Sequence, residues 1–164
     1  MNSLLPTNGS SPAKRLSVAT KKDRADRASG DNSTSDNQLV LIVDDDKKFA
    51  ETLGETVADQ GYDVLVANDG NTGLAYAIAR QPDLILLDVR MPRRSGFLVL
   101  EYLRTKTDLD CPVIFMCDCH GSRHENYATL LGADLYVRKP VNGGELSEMV
   151  NGMLRKQEQV SEVV

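Results

Sequence analysis

From Leu39 onward the chain alternates short apolar runs with stretches of helical periodicity, and no other feature restricts its fold as much. Five runs read as strands: Leu39 to Val43, Asp63 to Ala67, Asp83 to Leu87 with Asp88 at its end, Val113 to Met116 opened by Pro112, and residues 134–138 stopped by Lys139-Pro140. Each leads into a segment with apolar residues on one helical face. The first helix is expected from about Asp46 to Asp59, with Phe49, Leu53, Thr56 and Val57 inward, an acidic start that suits the helix dipole, and Gly61 ending it. The second, after Asn68-Asp69-Gly70, turns Leu74, Ala77 and Ile78 inward and is closed by Pro82. Met91-Pro92 interrupts regular structure before a third helix marked by Phe97, Leu98, Leu100 and Leu103. Tyr127, Leu130 and Leu131 mark a fourth, closed by Gly132, and Leu146, Met149, Val150 and Met153 form the stripe of the last. Five strand–helix units with short connections imply a parallel sheet covered on both faces. With right-handed crossovers and strand order 2-1-3-4-5, a site would lie outside the carboxyl ends of strands 1 and 3.

Charge is placed at that end of the sheet. Asp44-Asp45 follow the first strand, Asp88 ends the third, and Lys139 follows the fifth. Carboxylates about 5 Å apart repel by roughly 3 kcal/mol per pair at an effective dielectric near 20. Such a cluster calls for a divalent cation, and oxygen-only ligands favour a hard ion such as Mg²⁺. A carboxylate beside a hard cation and a lysine is equipped to take a phosphoryl group.

Composition narrows the alternatives. The 164 residues leave room for one domain with a tail, and with 41% apolar but only 5% aromatic residues the core must be filled by Val, Leu, Ile and Ala. Residues 1–37 hold six Lys/Arg against four Asp, a charge of +2, so the remainder of a chain at −5 carries −7. A folded part so acidic is a poor match for a phosphate backbone, and nucleic-acid binding is not expected. Residues 1–37, rich in Ser, Thr, Asn and charge, cannot bury enough surface to offset chain entropy and read as a disordered tail. No cleavable leader opens the sequence and no apolar run is long enough to span a bilayer. The three cysteines, Cys111, Cys117 and Cys119, are odd in number and clustered, so the cytoplasm with reduced thiols is the default compartment.

Leu41-Ile42-Val43-Asp44-Asp45-Asp46, Leu86-Leu87-Asp88-Val89-Arg90-Met91-Pro92, Gly96 and Val137-Arg138-Lys139-Pro140, in this order and at strand ends, closely resemble the receiver domain of two-component response regulators. The resemblance covers about residues 38–157, leaving 1–37 and 158–164 as tails. It implies an α/β, flavodoxin-like doubly wound (βα)5 fold with a five-stranded parallel sheet. By the same resemblance Asp88 is the phosphoacceptor, Asp45 the main Mg²⁺ carboxylate, Asp44 its acidic neighbour, and the Arg90 backbone carbonyl a further ligand. Lys139 binds a phosphoryl oxygen, and Tyr136 holds the aromatic position that swings inward on activation. Arg90 could also overhang the acyl phosphate and slow attack by water. Asp46 is read as a helix cap. The expected partners are a sensor histidine kinase or histidine phosphotransfer protein and a downstream protein target, with no membrane partner. The chain is expected to be a single-domain phospho-switch, a phosphoacceptor that assists its own phosphorylation and dephosphorylation rather than an independent enzyme. Its output is expected from protein contact, through the fourth helix, fifth strand and last helix.

Two positions depart from the family. The fourth strand usually ends in Thr or Ser, whose hydroxyl bonds the phosphoryl group; here that position is Cys117, and the usually small next residue is Asp118. A thiol is a weak donor, whereas a hydrogen bond to a charged group contributes roughly 1.5–3 kcal/mol. Asp118 should oppose an anionic phosphoryl group unless its side chain turns away. These departures support a second reading, a pseudo-receiver that acts as a phosphorylation-independent interaction module. Cys117, Cys119, His120 and His124 also invite a zinc site, but their spacing matches no common one, and cysteines packing as small hydrophobes is the preferred reading.

Overall fold

The computed structural model describes residues 37–119 and 122–161, with side chains as far as Lys156. The expected disordered tail lies, apart from Asn37, outside the described residues, as does His120. Strands β1 (Leu39–Val43), β2 (Asp63–Ala67), β3 (Leu84–Asp88), β4 (Val113–Cys117) and β5 (Leu135–Arg138) alternate with helices α1 (Lys47–Ala58), α2 (Gly70–Arg80), α3 (Gly96–Lys106), α4 (Ser122–Leu130) and α5 (Gly143–Ser161). All pairings are parallel and the strand order is β2-β1-β3-β4-β5. This is the doubly wound topology expected from the alternation of apolar runs and helices.

Strands β1, β3 and β4 are buried along their whole length, which accounts for their apolar composition, broken only by Asp88 at the end of β3. Alternation along each strand sends side chains to two cores. Leu41, Val43, Ile85, Leu87, Val113 and Phe115 share one layer with Leu74 and Ala77 of α2 and with Val99, Leu100 and Leu103 of α3. Val40, Ile42, Leu84, Leu86, Ile114 and Met116 share the other with Leu53 and Val57 of α1 and with Leu146, Val150 and Leu154 of α5. The register sets Val43 beside Ala67 and Leu87, Asp88 beside Met116, and Cys117 beside Arg138. The carboxyl ends of the strands therefore finish at one level.

Helix faces differ from the sequence expectation at several large residues. Ile78, Leu98, Tyr127 and Leu130 are 44%, 52%, 47% and 81% exposed. Leu74 and Ala77 turn inward as expected, joined by Gly70 and Gly73 in α2, while α3 buries Gly96, Val99, Leu100 and Leu103 and α4 buries Ala128. At Gly73 the helix lies so close to β1 that a Cβ would collide with the side chain of Val43. At that position close helix–sheet approach, rather than side-chain size, fixes which face turns in. The acidic start of α1 resolves into a single cap. Asp46 accepts the Phe49 N–H at 3.0 Å, and the first turn carries Lys47 and Lys48 instead of acids.

Candidate functional site

The chain leaves β1 at Val43, and Asp44, the next residue, is fully buried. Its backbone N–H donates to the Ala67 carbonyl at 3.0 Å, continuing the β1–β2 ladder by one residue. One carboxylate oxygen accepts the Asp46 N–H at 3.0 Å. The other accepts from Lys139 Nζ at 2.6 Å. Asp88, the last residue of β3, is 4% exposed, and its Oδ1 accepts from the same Nζ at 2.6 Å. Lys139 itself is anchored by its N–H to the Cys117 carbonyl at 2.7 Å, and its ammonium lies 4.8 Å from the centroid of the Phe49 ring. One ammonium thus joins two buried carboxylates from two different strands.

Burial is the main influence on both acids. It pushes Asp88 up from the ordinary 3.8 to about 6, although the bond and charge of Lys139 pull the other way. Burial likewise raises Asp44 against the pull of Lys139. For Lys139 burial alone would lower the ammonium, but its bonds to Asp44 and Asp88 outweigh that and raise it. Two acids share one cation, so the cluster is short of positive charge.

Asp45 is exposed, and oxygens of Asp44, Asp45 and Asp88 lie within 4.8 Å of one another. Three carboxylates so placed, two of them raised by burial, are an oxygen-only donor set suited to a hard divalent cation. The residues present therefore fit Mg²⁺.

Several features hold this geometry. Gly96 opens α3 against the backbone of Asp88; a Cβ there would collide with the Asp88 carbonyl oxygen. The Gly96 N–H donates to the Val89 carbonyl at 2.9 Å, tying the helix start to the strand end. Asn68, after β2, donates from Nδ2 to the Asp44 carbonyl at 3.2 Å. Neither Asn68 nor Phe49 was singled out from the sequence as part of the site. The available signal was their position just after β2 and in the first turn of α1.

The residues brought together include both departures from the family. The cleft is lined by Asp44, Asp45, Asp46, Asp88, Arg90, Met91, Pro92, Asp118 and Lys139. The Arg90 guanidinium pairs with the Asp118 carboxylate across this cleft, both side chains being largely exposed. Asp118 is thus turned toward a cation on the opposite loop. The Arg90 backbone N–H, facing Asp88, weakly opposes the rise of its carboxyl. Cys117 ends β4 fully buried, but not as an isolated small hydrophobe: its sulfur is bonded to that of Cys119, with Cα atoms 5.1 Å apart. The i, i+2 spacing at the end of a strand, where the backbone can turn back, brings both sulfurs to one side. That pairing uses two of the four side chains considered for zinc. His124 instead stacks on Phe97, 6.1 Å between centroids. Tyr136 is half-buried beside Phe115, and among the described residues its buried hydroxyl has no hydrogen-bond partner.

Comparison with known proteins agrees with this geometry. Over 107 residues the chain is 39% identical to the transcriptional regulatory protein DltR of Streptococcus agalactiae serotype III (strain NEM316), covering 65% of this chain and 47% of that protein. The chain thus spans about half the length of the curated relatives it matches. Among solved structures it resembles the CheY-like receiver domain protein of Methanospirillum hungatei JF-1, with 28% identity, a TM-score of 0.71 and coverage of 75% of this chain and 98% of that one. It is also similar to the receiver domain of the Francisella response regulator 1452, with 30% identity, a TM-score of 0.70 and coverage of 74% and 99%. Residues 40–151 match the response regulator receiver domain, and with that match spanning most of its length the chain belongs to this family.

Proposed function

We propose that Asp88 accepts a phosphoryl group from a histidine of a sensor kinase or phosphotransfer protein, and that the resulting acyl phosphate changes what the domain binds. The observation that carries this is the double bond of Lys139 Nζ to Asp44 and Asp88, at 2.6 Å each, beside the exposed carboxylate of Asp45. Asp44, Asp45, Asp88 and the Arg90 backbone carbonyl would hold Mg²⁺. That ion supplies neutralising charge to the acceptor oxygen and the incoming phosphoryl oxygens.

In the transfer, a carboxylate oxygen of Asp88 attacks phosphorus, the phosphorus–nitrogen bond of the donor breaks, and an acyl phosphate forms. The transition state is loose and spreads charge over the equatorial oxygens, so positioning and cationic contacts do most of the catalysis. Lys139 is fixed at its backbone by Cys117 and needs only to exchange a carboxylate oxygen for a phosphoryl oxygen. Gly96 keeps α3 close behind the acceptor. The product carries about −1.5 to −2 charge near pH 7 and strong acceptor oxygens. That charge is the signal.

Output by protein contact fits the folded residues, since the acidic balance after residue 37 opposes DNA binding by this part of the chain. The streptococcal relative is named for transcriptional regulation, and it is about twice the length of the matched segment. Among the described residues no helix is long and apolar enough to cross a membrane, in keeping with the cytoplasmic setting we propose.

Incubation with acetyl phosphate and Mg²⁺, followed by intact-mass measurement, tests the proposal. A phosphoryl mass gain lost in Asp88→Asn supports it. Absence of a gain with any donor supports instead the phosphorylation-independent module that Cys117 and Asp118 suggest.

A further inference from the structure

Cys117 stands where the phosphoryl-binding hydroxyl is expected, and its sulfur is joined to that of Cys119. The Cys119 N–H lies 2.9 Å from the Cys117 sulfur, so the intervening segment curls back on the strand end. Asp118, between them, is directed outward onto Arg90 at the cleft. Pairing the sulfurs therefore acts on two groups at once. It removes the S–H that Cys117 could offer a phosphoryl oxygen, and it braces the residue that holds Arg90 across the mouth of the site.

We propose that Cys117 and Cys119 form a reversible thiol–disulfide modification site, and that oxidation there uncouples the phosphoacceptor from β4. The second half rests on the phosphoacceptor reading above; the first does not. The oxidant required is a low-molecular-weight disulfide. Cys119 is partly exposed whereas Cys117 is fully buried, so Cys119 is the sulfur an external reagent reaches first. The Cys119 thiolate attacks one sulfur of the reagent; that sulfur–sulfur bond breaks, one small thiolate leaves, and a mixed disulfide forms. The Cys117 thiolate then attacks the Cys119 sulfur and expels the second small thiol. Two protein thiols are oxidised, one external disulfide is reduced to two thiols, and both protons end on the released thiolates or in solvent.

Position gives the modification its consequence. Cys117 is the last residue of β4, and its carbonyl anchors the Lys139 N–H at 2.7 Å. Its Cα is in register with Arg138, one residue before Lys139. In the reduced state the thiol is free to rotate toward a phosphoryl group on Asp88 and carry the end of β4 with it. In the oxidised state the sulfur is held to Cys119, so phosphorylation adds charge without moving the strand. Cys111 is buried at the opposite end of β4 and takes no part in the pair, so it serves as an internal reference.

The full chain is equilibrated in glutathione buffers from reducing to oxidising, quenched in acid, unfolded and alkylated with N-ethylmaleimide. Three labels under reducing conditions and one under oxidising conditions, with both losses mapped to Cys117 and Cys119, support the site. Three labels at every buffer composition, or losses explained by disulfide-linked dimers, overturn it. Coupling is read by hydrogen exchange of residues 113–119 on adding beryllofluoride and Mg²⁺ as a phosphoryl mimic. The reduced chain should change its exchange there, the oxidised chain should not, and Cys119→Ser should change it in both buffers. Equal responses of reduced and oxidised wild type overturn the coupling. Reversible loss of two labels in a chain whose Asp88 never gains phosphoryl mass supports the thiol site and overturns the coupling together with the phosphoacceptor reading.

Discussion

Replacing Asp88 by Asn should make the metal-free protein more stable at neutral pH, even though it removes the proposed acceptor. Asp88 is 4% exposed and shares Lys139 with the fully buried Asp44. Its carboxyl is lifted from 3.8 to about 6 in the folded protein, chiefly by burial. Between those values the folded state holds a proton that the unfolded state has released, so stability falls as pH rises from about 4 to about 6. At about 1.36 kcal/mol per pH unit, the loss above pH 6 is on the order of 3 kcal/mol. Asparagine does not titrate, and its side-chain oxygen can still accept from Lys139. Because that shift already balances burial against the attraction of Lys139, the gain expected of the amide is of the same size, about 3 kcal/mol. Urea unfolding with a chelator present, at several pH values, measures the gap. It should be near zero below about pH 4, open between 4 and 6, and stay constant above. Adding Mg²⁺ should narrow it, since the ion stabilises folded wild type and binds the variant less well. A variant no more stable at pH 7.5, or a gap independent of pH, would refute the view that buried like charge is stored at this site.

Other perturbations probe the parts around it. Lys139→Met leaves two buried carboxylates without their ammonium and should cost about 3–5 kcal/mol at pH 7; the deficit should shrink in acid as Asp44 and Asp88 take up protons, which unfolding at pH 7 and pH 4.5 would show. Mg²⁺ affinity measured by calorimetry should weaken as pH falls through about 6, because the ion competes with the proton on Asp88. Gly96→Ala should cost roughly 1–3 kcal/mol by overpacking against the Asp88 carbonyl, and should slow acetyl-phosphate labelling followed by intact mass. Phe115→Ala, at a fully buried position in the core between the sheet and α3, should lower unfolding free energy by about 3–5 kcal/mol without abolishing that labelling.

The architecture was legible because its signal is local. Unbroken apolar runs such as Leu39 to Val43 mark strands buried on both faces, and Asp46, Asp69 and Pro82 mark where helices begin or end. The acidic residues were legible for the same reason, each falling at the end of such a run. Helix faces were less so. Leu98 and Tyr127 fit a helical stripe by size, yet they stay exposed while Gly96, Val99, Leu100 and Leu103 of α3 and Ala128 of α4 turn inward, and at Gly96 the close approach to the Asp88 backbone leaves no room for a side chain. The pairing of Arg90 with Asp118 and the joining of Cys117 to Cys119 had no signature in composition or periodicity.

The order of residues along the chain determined that this protein is a parallel α/β domain with Asp44, Asp45, Asp88 and Lys139 at strand ends, since strand and helix periodicity are properties of neighbours in sequence. Folding decided which of those groups share a proton's worth of charge. Lys139 meets Asp44 and Asp88 across 95 and 51 residues of chain, and both acids are raised because the sheet and helices shut water out around them. Desolvation and long-range ion pairing depend on packing in three dimensions, and no local pattern of residues encodes them.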